Sequence, residues 1–365
     1  MMTGRDRFLT AISNQRPDRL PVQVHSWMKY YLKRYLGGMD QYSAYEAVGM
    51  TPVIYVEPDR VYREEDLASW QVETREEPDG EGGTHYVRRI ATPKGDLIEK
   101  GGGNQYTTWI TEYPIKGERD FALWNEFVPL PTLDWAPVTA AKERIGERGI
   151  VRGAGFGFGQ GSPWQDLSTI MMGTEPAIFA AMDEPDWMRF ALTAMLEKKM
   201  RVLEQSGPIA LDLVETGGGG GSSTVISPAM HRTFCQPFDR KQHALIHELG
   251  AKTVYHLCGG LMPLLETVVE NGTDGLETMT PPSMGGDCDM EKADQRVGDK
   301  VFFIGGFDQN AGFEKGTVQN VREQVYRLFQ AKRHGGYICS PSDHFFFGEP
   351  DLIRAFVEAA KECVY

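Results

Sequence analysis

From residue 148 to the C-terminus, short apolar runs alternate with stretches in which apolar residues recur every three or four positions. The run 149–153 predicts a strand and 186–204 a helix, and 209–214 predicts the next strand, followed by five glycines at 217–221. Ser227 and Pro228 open another helix, with serine as the cap and proline in the first turn. It carries Met230, Phe234, Phe238, Leu245 and Leu249 and stops at Gly250. The same unit then repeats. Thr253, Val254 and Tyr255 lead into a helix over 261–270, and 274–278 leads into the loop before Met290. Residues 301–304 lead into a helix with Val318, Val321, Val325 and Leu328 on one face. Residues 337–339 lead into a last helix carrying Leu352, Phe356, Val357 and Ala360.

The N-terminal half follows a looser version of this plan. Phe8, Leu9 and Ile12 share one face of a helix predicted over 3–13, which Arg16-Pro17-Asp18 ends, and 20–24 predicts a short buried strand. Residues 60–120 differ: they are polar and rich in Glu and Gly, with alternation such as Thr84 to Ile90, and predict a β-hairpin elaboration. Strands alternating with helices imply a parallel sheet with helical crossovers. A doubly wound sheet is the rival arrangement. About eight such strands favour an α/β fold of the (β/α)8 TIM-barrel type, one domain over 1–365 with 60–120 inserted.

Composition narrows the partners. The net charge of −13 argues against nucleic acid and anionic membrane, which are met by Lys/Arg clusters. No apolar run approaches the ~20 residues that span a bilayer, and Met1 to Arg7 carries no signal-peptide apolar region. The expected location is the cytoplasm. There the five scattered cysteines, Cys235, Cys258, Cys288, Cys339 and Cys363, are expected as free or metal-bound thiols rather than disulfides.

In a parallel barrel the chemistry sits where strands end and βα loops begin. The polar residues at those points are Gln23 and His25 after the first strand, Glu215, His256 and Cys258, Glu277, Asp308, and finally Cys339, Asp343 and His344. His256 and Cys258 lie two apart, so on an extended strand they point the same way, and imidazole and thiolate are preferred zinc ligands. A bare His-x-Cys pair is commonly ordinary core. Glu277 on the neighbouring strand and Cys339, Asp343 or His344 on the last one can complete a tetrahedral set, which makes this pair a metal candidate. Aromatic residues also crowd the strand ends, Trp27, Tyr31, Phe156, Trp164 and Phe345 among them, and with Gln23 they are candidates for holding an aromatic substrate.

The segments His256-Leu257-Cys258-Gly259-Gly260 and Gly272-Thr273-Asp274-Gly275-Leu276-Glu277 resemble the uroporphyrinogen decarboxylase superfamily. The closer likeness is to its corrinoid-dependent methyltransferase branch. Pro17-Asp18-Arg19-Leu20-Pro21-Val22, Ser227-Pro228, Gly305-Gly306-Phe307-Asp308 and the stretch 337–350 match as well, and the resemblance covers nearly the whole chain. It implies a (β/α)8 barrel, Zn2+ bound through His-x-Cys plus a distal cysteine, and a corrinoid (cobalamin) carried by a corrinoid-binding partner protein.

Two departures shape the functional expectation. Decarboxylases of the superfamily carry an arginine-rich signature after the first strand, where this chain has Gln23-Val24-His25-Ser26-Trp27-Met28. A polycarboxylate substrate would find no arginine fork there. The family's distal metal ligand falls at Asp343 here, beside His344, while Cys339 precedes Pro341. Any of the three can complete the site. The glycines 217–221 lack a phosphate-loop pattern and suit close approach of a planar group or a partner. The expectation is a zinc-dependent methyltransferase that removes a methyl group from a small O-methylated aromatic molecule and passes it to cobalt. Glu215, Asp308 or His25 would handle the proton. The alternatives are a methylcobamide:thiol methyltransferase running the other way, and a barrel that binds a tetrapyrrole or corrinoid protein without catalysis.

Overall fold

A computed structural model describes residues 2–154 and 161–365. The chain divides into two units: Met1–Glu57, Trp135–Gly155 and Pro208–Tyr365 form the first, and Pro58–Asp134 with Phe156–Gly207 the second.

The first unit is the α/β barrel that the periodicity predicts. Its parallel sheet runs Val53–Tyr55, Ile150–Gly153, Leu213–Gly217, Lys252–His256, Gly275–Thr278, Phe302–Phe307, Tyr337–Pro341. Every neighbouring pair is parallel. The segment predicted as the first strand, 20–24, lies against the Tyr337–Pro341 edge: Val22 bridges Cys339 in parallel, and Gln23 N donates to Cys339 O at 3.1 Å. That supplies the eighth strand position. Helices Gly4–Ala11, Met290–Val297, Val318–Ala331 and Pro350–Glu362 belong to this unit. Thr3 caps the first through a box with Asp6.

Two sequence expectations shift. The strand predicted over 209–214 forms at Leu213–Gly217, because Asp212 uses its carboxylate to accept from Val151 N and to fork with Arg5 (2.9 and 2.6 Å). The long helix from Ser227 breaks at Cys235 into Pro228–Phe234 and Gln236–Glu248. Pro237 can neither donate a backbone bond to the preceding turn nor fit its ring against it.

Side chains alternate between the helix layer and the barrel interior. Thr216 Oγ1 lies 2.8 Å from His243 Nε2, and Tyr255 donates to Asp239 at 2.7 Å, both on Gln236–Glu248. Their chain neighbours, Glu215 and His256, therefore face inward. At the sheet's lower end Asp274 accepts from Thr253 N at 2.8 Å and faces His247 (2.7 Å) and Lys252 (3.3 Å). Burial disfavours its charge, but these donors outweigh it and hold its pKa down to about 2. Its stabilisation is therefore present above the ordinary carboxylate pKa and is lost as pH falls toward 2. Asp274→Asn is expected to lower the urea midpoint at pH 7 and to converge with wild type near pH 2. A constant gap down to pH 2 would refute this.

The second unit holds an antiparallel sheet, Gln71–Pro78, Thr84–Thr92, Gly95–Gly103 and Thr108–Glu112 in that order. With it go helices Glu118–Phe127, Thr174–Asp183 and Pro185–Gln205 and the pair Asp59–Val61 and Thr132–Asp134. Among the described residues no helix is long and apolar enough to cross a membrane.

Candidate metal centre

Strand register brings four polar residues onto one inward face. Arg152 pairs with Leu213, two residues before Glu215; Glu215 pairs with Val254, two before His256; and His256 pairs with Glu277. Paired residues of parallel strands share a face, so these four side chains converge. Gln23 and His25 reach the same place from the first strand position.

Arg152 is the hinge of the cluster. Its guanidinium, wholly buried, forks onto Glu277 at 2.7 and 2.6 Å and also reaches Glu215 Oε2 at 2.7 Å. Both glutamates are nearly inaccessible, and this cation is what makes two buried carboxylates tolerable. Burial alone would raise the Glu277 pKa, but Arg152 and His25 hold it well below the usual carboxylate range.

The histidines stand differently toward the carboxylates. His25 Nδ1 lies 3.4 Å from Glu277 and its Nε2 3.6 Å from Glu215. His256 Nδ1 lies 3.6 Å from Glu215 Oε1 and 3.5 Å from Glu277 Oε2, is buried, and has no hydrogen-bond partner. These separations exceed the 2.7–3.2 Å of a normal N–H···O bond. Two ligands on one tetrahedral zinc, with bonds near 2.0–2.1 Å, stand about 3.4 Å apart. One ligand atom from each of His25, Glu215, His256 and Glu277 falls within 4.8 Å of all the others. The donor set is thus spaced as metal ligands are, with an orphaned imidazole nitrogen aimed between two carboxylates, and it fits a zinc ion.

Cys258 stands just beyond the strand end, two residues after His256 and only partly buried. Burial disfavours the imidazolium, but Cys258 and the two glutamates outweigh it and raise the His256 pKa well above its ordinary value. Gly219 faces this turn closely: a Cβ there would lie 2.5 Å from the Cys258 sulfur. His344 meets His25 edge-on, with ring centroids 4.9 Å apart, and Ser26 Oγ lies 3.3 Å from its Nδ1. Burial and the facing His25 push its pKa down to about 4.

Other candidates from the sequence lie elsewhere. Cys339 pairs with Gly305 and Val22 on the outward face of its strand, shared with Tyr337, and burial pushes its thiol up to about 12. Asp343 is exposed and accepts from His344 N. Asp308 accepts from Ser283 (2.6 Å) and from Ala311 N, and lines a separate cavity of about 560 Å³ with Gln324 and Arg327. Gln23 donates weakly to Glu277 at 3.4 Å. Trp27, Tyr31 and Phe345 are buried against one another, with centroid distances of 4.9 to 6.3 Å, and Tyr31 donates to Gly348 O. Trp164 is buried in the second unit, and Phe156 lies outside the described residues.

Arg152 was not among the residues singled out from the sequence. Its signal was there: one charge in the otherwise apolar run 149–153 cannot be buried without a partner.

Comparison with known proteins agrees with the geometry of the barrel. The uroporphyrinogen decarboxylase (URO-D) family model matches residues 153–363, more than half of the chain. A uroporphyrinogen decarboxylase of Pseudomonas fluorescens is 25% identical across 98% of this chain and 96% of its own length. Another, from Pseudomonas putida, is 27% identical across 64% of this chain and 66% of its own length. Among solved structures, a methyltransferase from Methanosarcina mazei superposes with a TM-score of 0.68 at 14% identity, covering 99% of both chains, a likeness of fold. Its matched residues, its barrel and its relatives together make this chain a member of the uroporphyrinogen decarboxylase family.

Proposed function

We propose that the chain is a zinc-dependent methyltransferase that moves a methyl group from a small O-methylated, aromatic substrate to the cobalt of a corrinoid carried by a partner protein. The observation that carries this reading is the ligand-like spacing of His25, Glu215, His256 and Glu277 inside the barrel. A bound Zn2+ supplies Lewis acidity toward the ether oxygen that loses its methyl group. His25, Glu215, His256 and Glu277 would hold it. Arg152 would orient both glutamates for that task and keep Glu277 ionised. His344, whose ring meets His25 and whose pKa is lowered, would hold or pass a proton for the leaving oxygen. The donor set pairs borderline imidazoles with hard carboxylates and contains no thiolate, which suits polarising oxygen better than activating a thiol.

The decarboxylase relatives raise a second possibility, and the site chemistry weighs against it. The arginine at the centre is already taken up by two carboxylates of this chain, so a polycarboxylate would meet negative charge. The test is direct. The zinc-loaded protein, given cob(I)alamin and a methoxylated benzoate, is expected to form methylcobalamin and the free phenol. Methyl transfer only from methylcobalamin to a thiol would reverse the direction, and release of CO2 from a porphyrinogen would overturn the reading.

A further inference from the structure

The strand that carries Glu277 ends abnormally. Thr278 and Met279, neither of them glycine, take left-handed backbone angles, φ +80° and +46°. A β-branched residue there is disfavoured, because its Cβ crowds its own backbone. Such conformations persist where surrounding bonds over-determine them, and they gather at functional sites.

Those bonds are present. Thr278 Oγ1 donates to Leu257 O at 2.9 Å, and Thr280 Oγ1 donates to Thr278 Oγ1 at 3.1 Å. Leu257 N reaches Glu277 O at 3.4 Å. Leu257 is the residue between His256 and Cys258. Its carbonyl is therefore held by a side-chain hydroxyl at the point where continued parallel pairing would call for a backbone N–H. The turn is locked from the other side as well: a Cβ on Gly305 would lie 2.1 Å from Thr278 O, so only glycine allows that approach. Thr278 and Met279 are both buried.

From this geometry we infer that Thr278 is a positioning residue, whose hydroxyl fixes the 256–258 turn against Glu277 and so sets the spacing of the site. The inference rests on the proposed metal site for its purpose, but its geometry can be read without metal. Cys258 is the one cysteine of five that is not buried, so alkylation reports on that turn.

The experiment compares the full-length wild type with Thr278→Val, which keeps the shape and loses the hydroxyl, and Thr278→Ser, which restores it. Iodoacetamide modification of Cys258 is followed in metal-free protein, and Zn2+ affinity is measured against a competing chelator. The Val variant is expected to change the Cys258 rate severalfold and to weaken zinc binding about tenfold or more, with Ser close to wild type in both. Circular dichroism confirms that each variant is folded, and Thr278→Gly, which accepts the left-handed backbone, replaces Val if Val does not fold. Equal Cys258 rates and equal zinc affinities in wild type and Val would overturn the inference, as would a Ser variant as impaired as Val. If wild type binds no zinc while the Cys258 rates still separate Val from Ser, the positioning role stands and the metal reading fails.

Discussion

Arg152→Met is expected to destabilise the metal-free protein by about 3–5 kcal/mol, the usual cost of stripping one partner from a buried ion pair. Methionine fills similar volume, so the loss measures charge and hydrogen bonding rather than a cavity. Without the guanidinium, Glu215 and Glu277 face each other across a site with almost no solvent, and one must take up a proton. Arg152→Lys should fall between, because one ammonium cannot fork across two carboxylates. A divalent cation can replace the missing charge. Zinc should therefore raise the urea midpoint of Arg152→Met more than that of wild type. The sign with pH follows from the depressed Glu277 pKa. The wild-type advantage is present above the ordinary carboxylate pKa and disappears as pH falls through the lower folded value. A Met variant as stable as wild type at pH 7 would mean that the cluster is not ionised.

The second large effect concerns the ligands. His256→Ala removes the imidazole whose Nδ1 faces both carboxylates, and Glu277→Gln removes a charge while preserving shape. Each is expected to abolish stoichiometric zinc binding and to cut methyl transfer at least a hundredfold, the equivalent of about 3 kcal/mol of lost Lewis-acid assistance. Cys339→Ser serves as the control. Its side chain lies on the opposite face of the last strand, so zinc content and activity should match wild type. Zinc retained in Glu277→Gln but lost in Cys339→Ser would move the site to the outer face and contradict the geometry.

These expectations show what the sequence could and could not carry. The barrel was legible because repeated apolar runs and amphipathic helices are local patterns, and His256, Glu277 and Glu215 were legible as polar residues near strand ends. Arg152 was not, because its meaning depends on partners 63 and 125 residues away along the chain. Cys339 illustrates a different limit. Which face a strand residue occupies turns on a one-residue register, and sequence spacing alone leaves both faces open. The aromatic set near the mouth divides in the same way. Trp27, Tyr31 and Phe345 proved to bury one another, a use of aromatic residues that looks identical in sequence to a substrate-lining one. His25 and Glu215 were singled out for proton handling, yet their positions make them neighbours of His256 and Glu277 in one cluster. Only three-dimensional distance could join residues from three strands and the segment after 20–24 into one donor set.

Everything proposed for the site depends on this cluster holding a metal. The most direct test is elemental analysis of wild-type protein expressed in zinc-replete medium and dialysed, alongside His256→Ala. Close to one zinc per chain is expected in wild type and almost none in the variant. Wild type without zinc, or a variant that keeps it, would mean that His25, Glu215, His256 and Glu277 are not a zinc site.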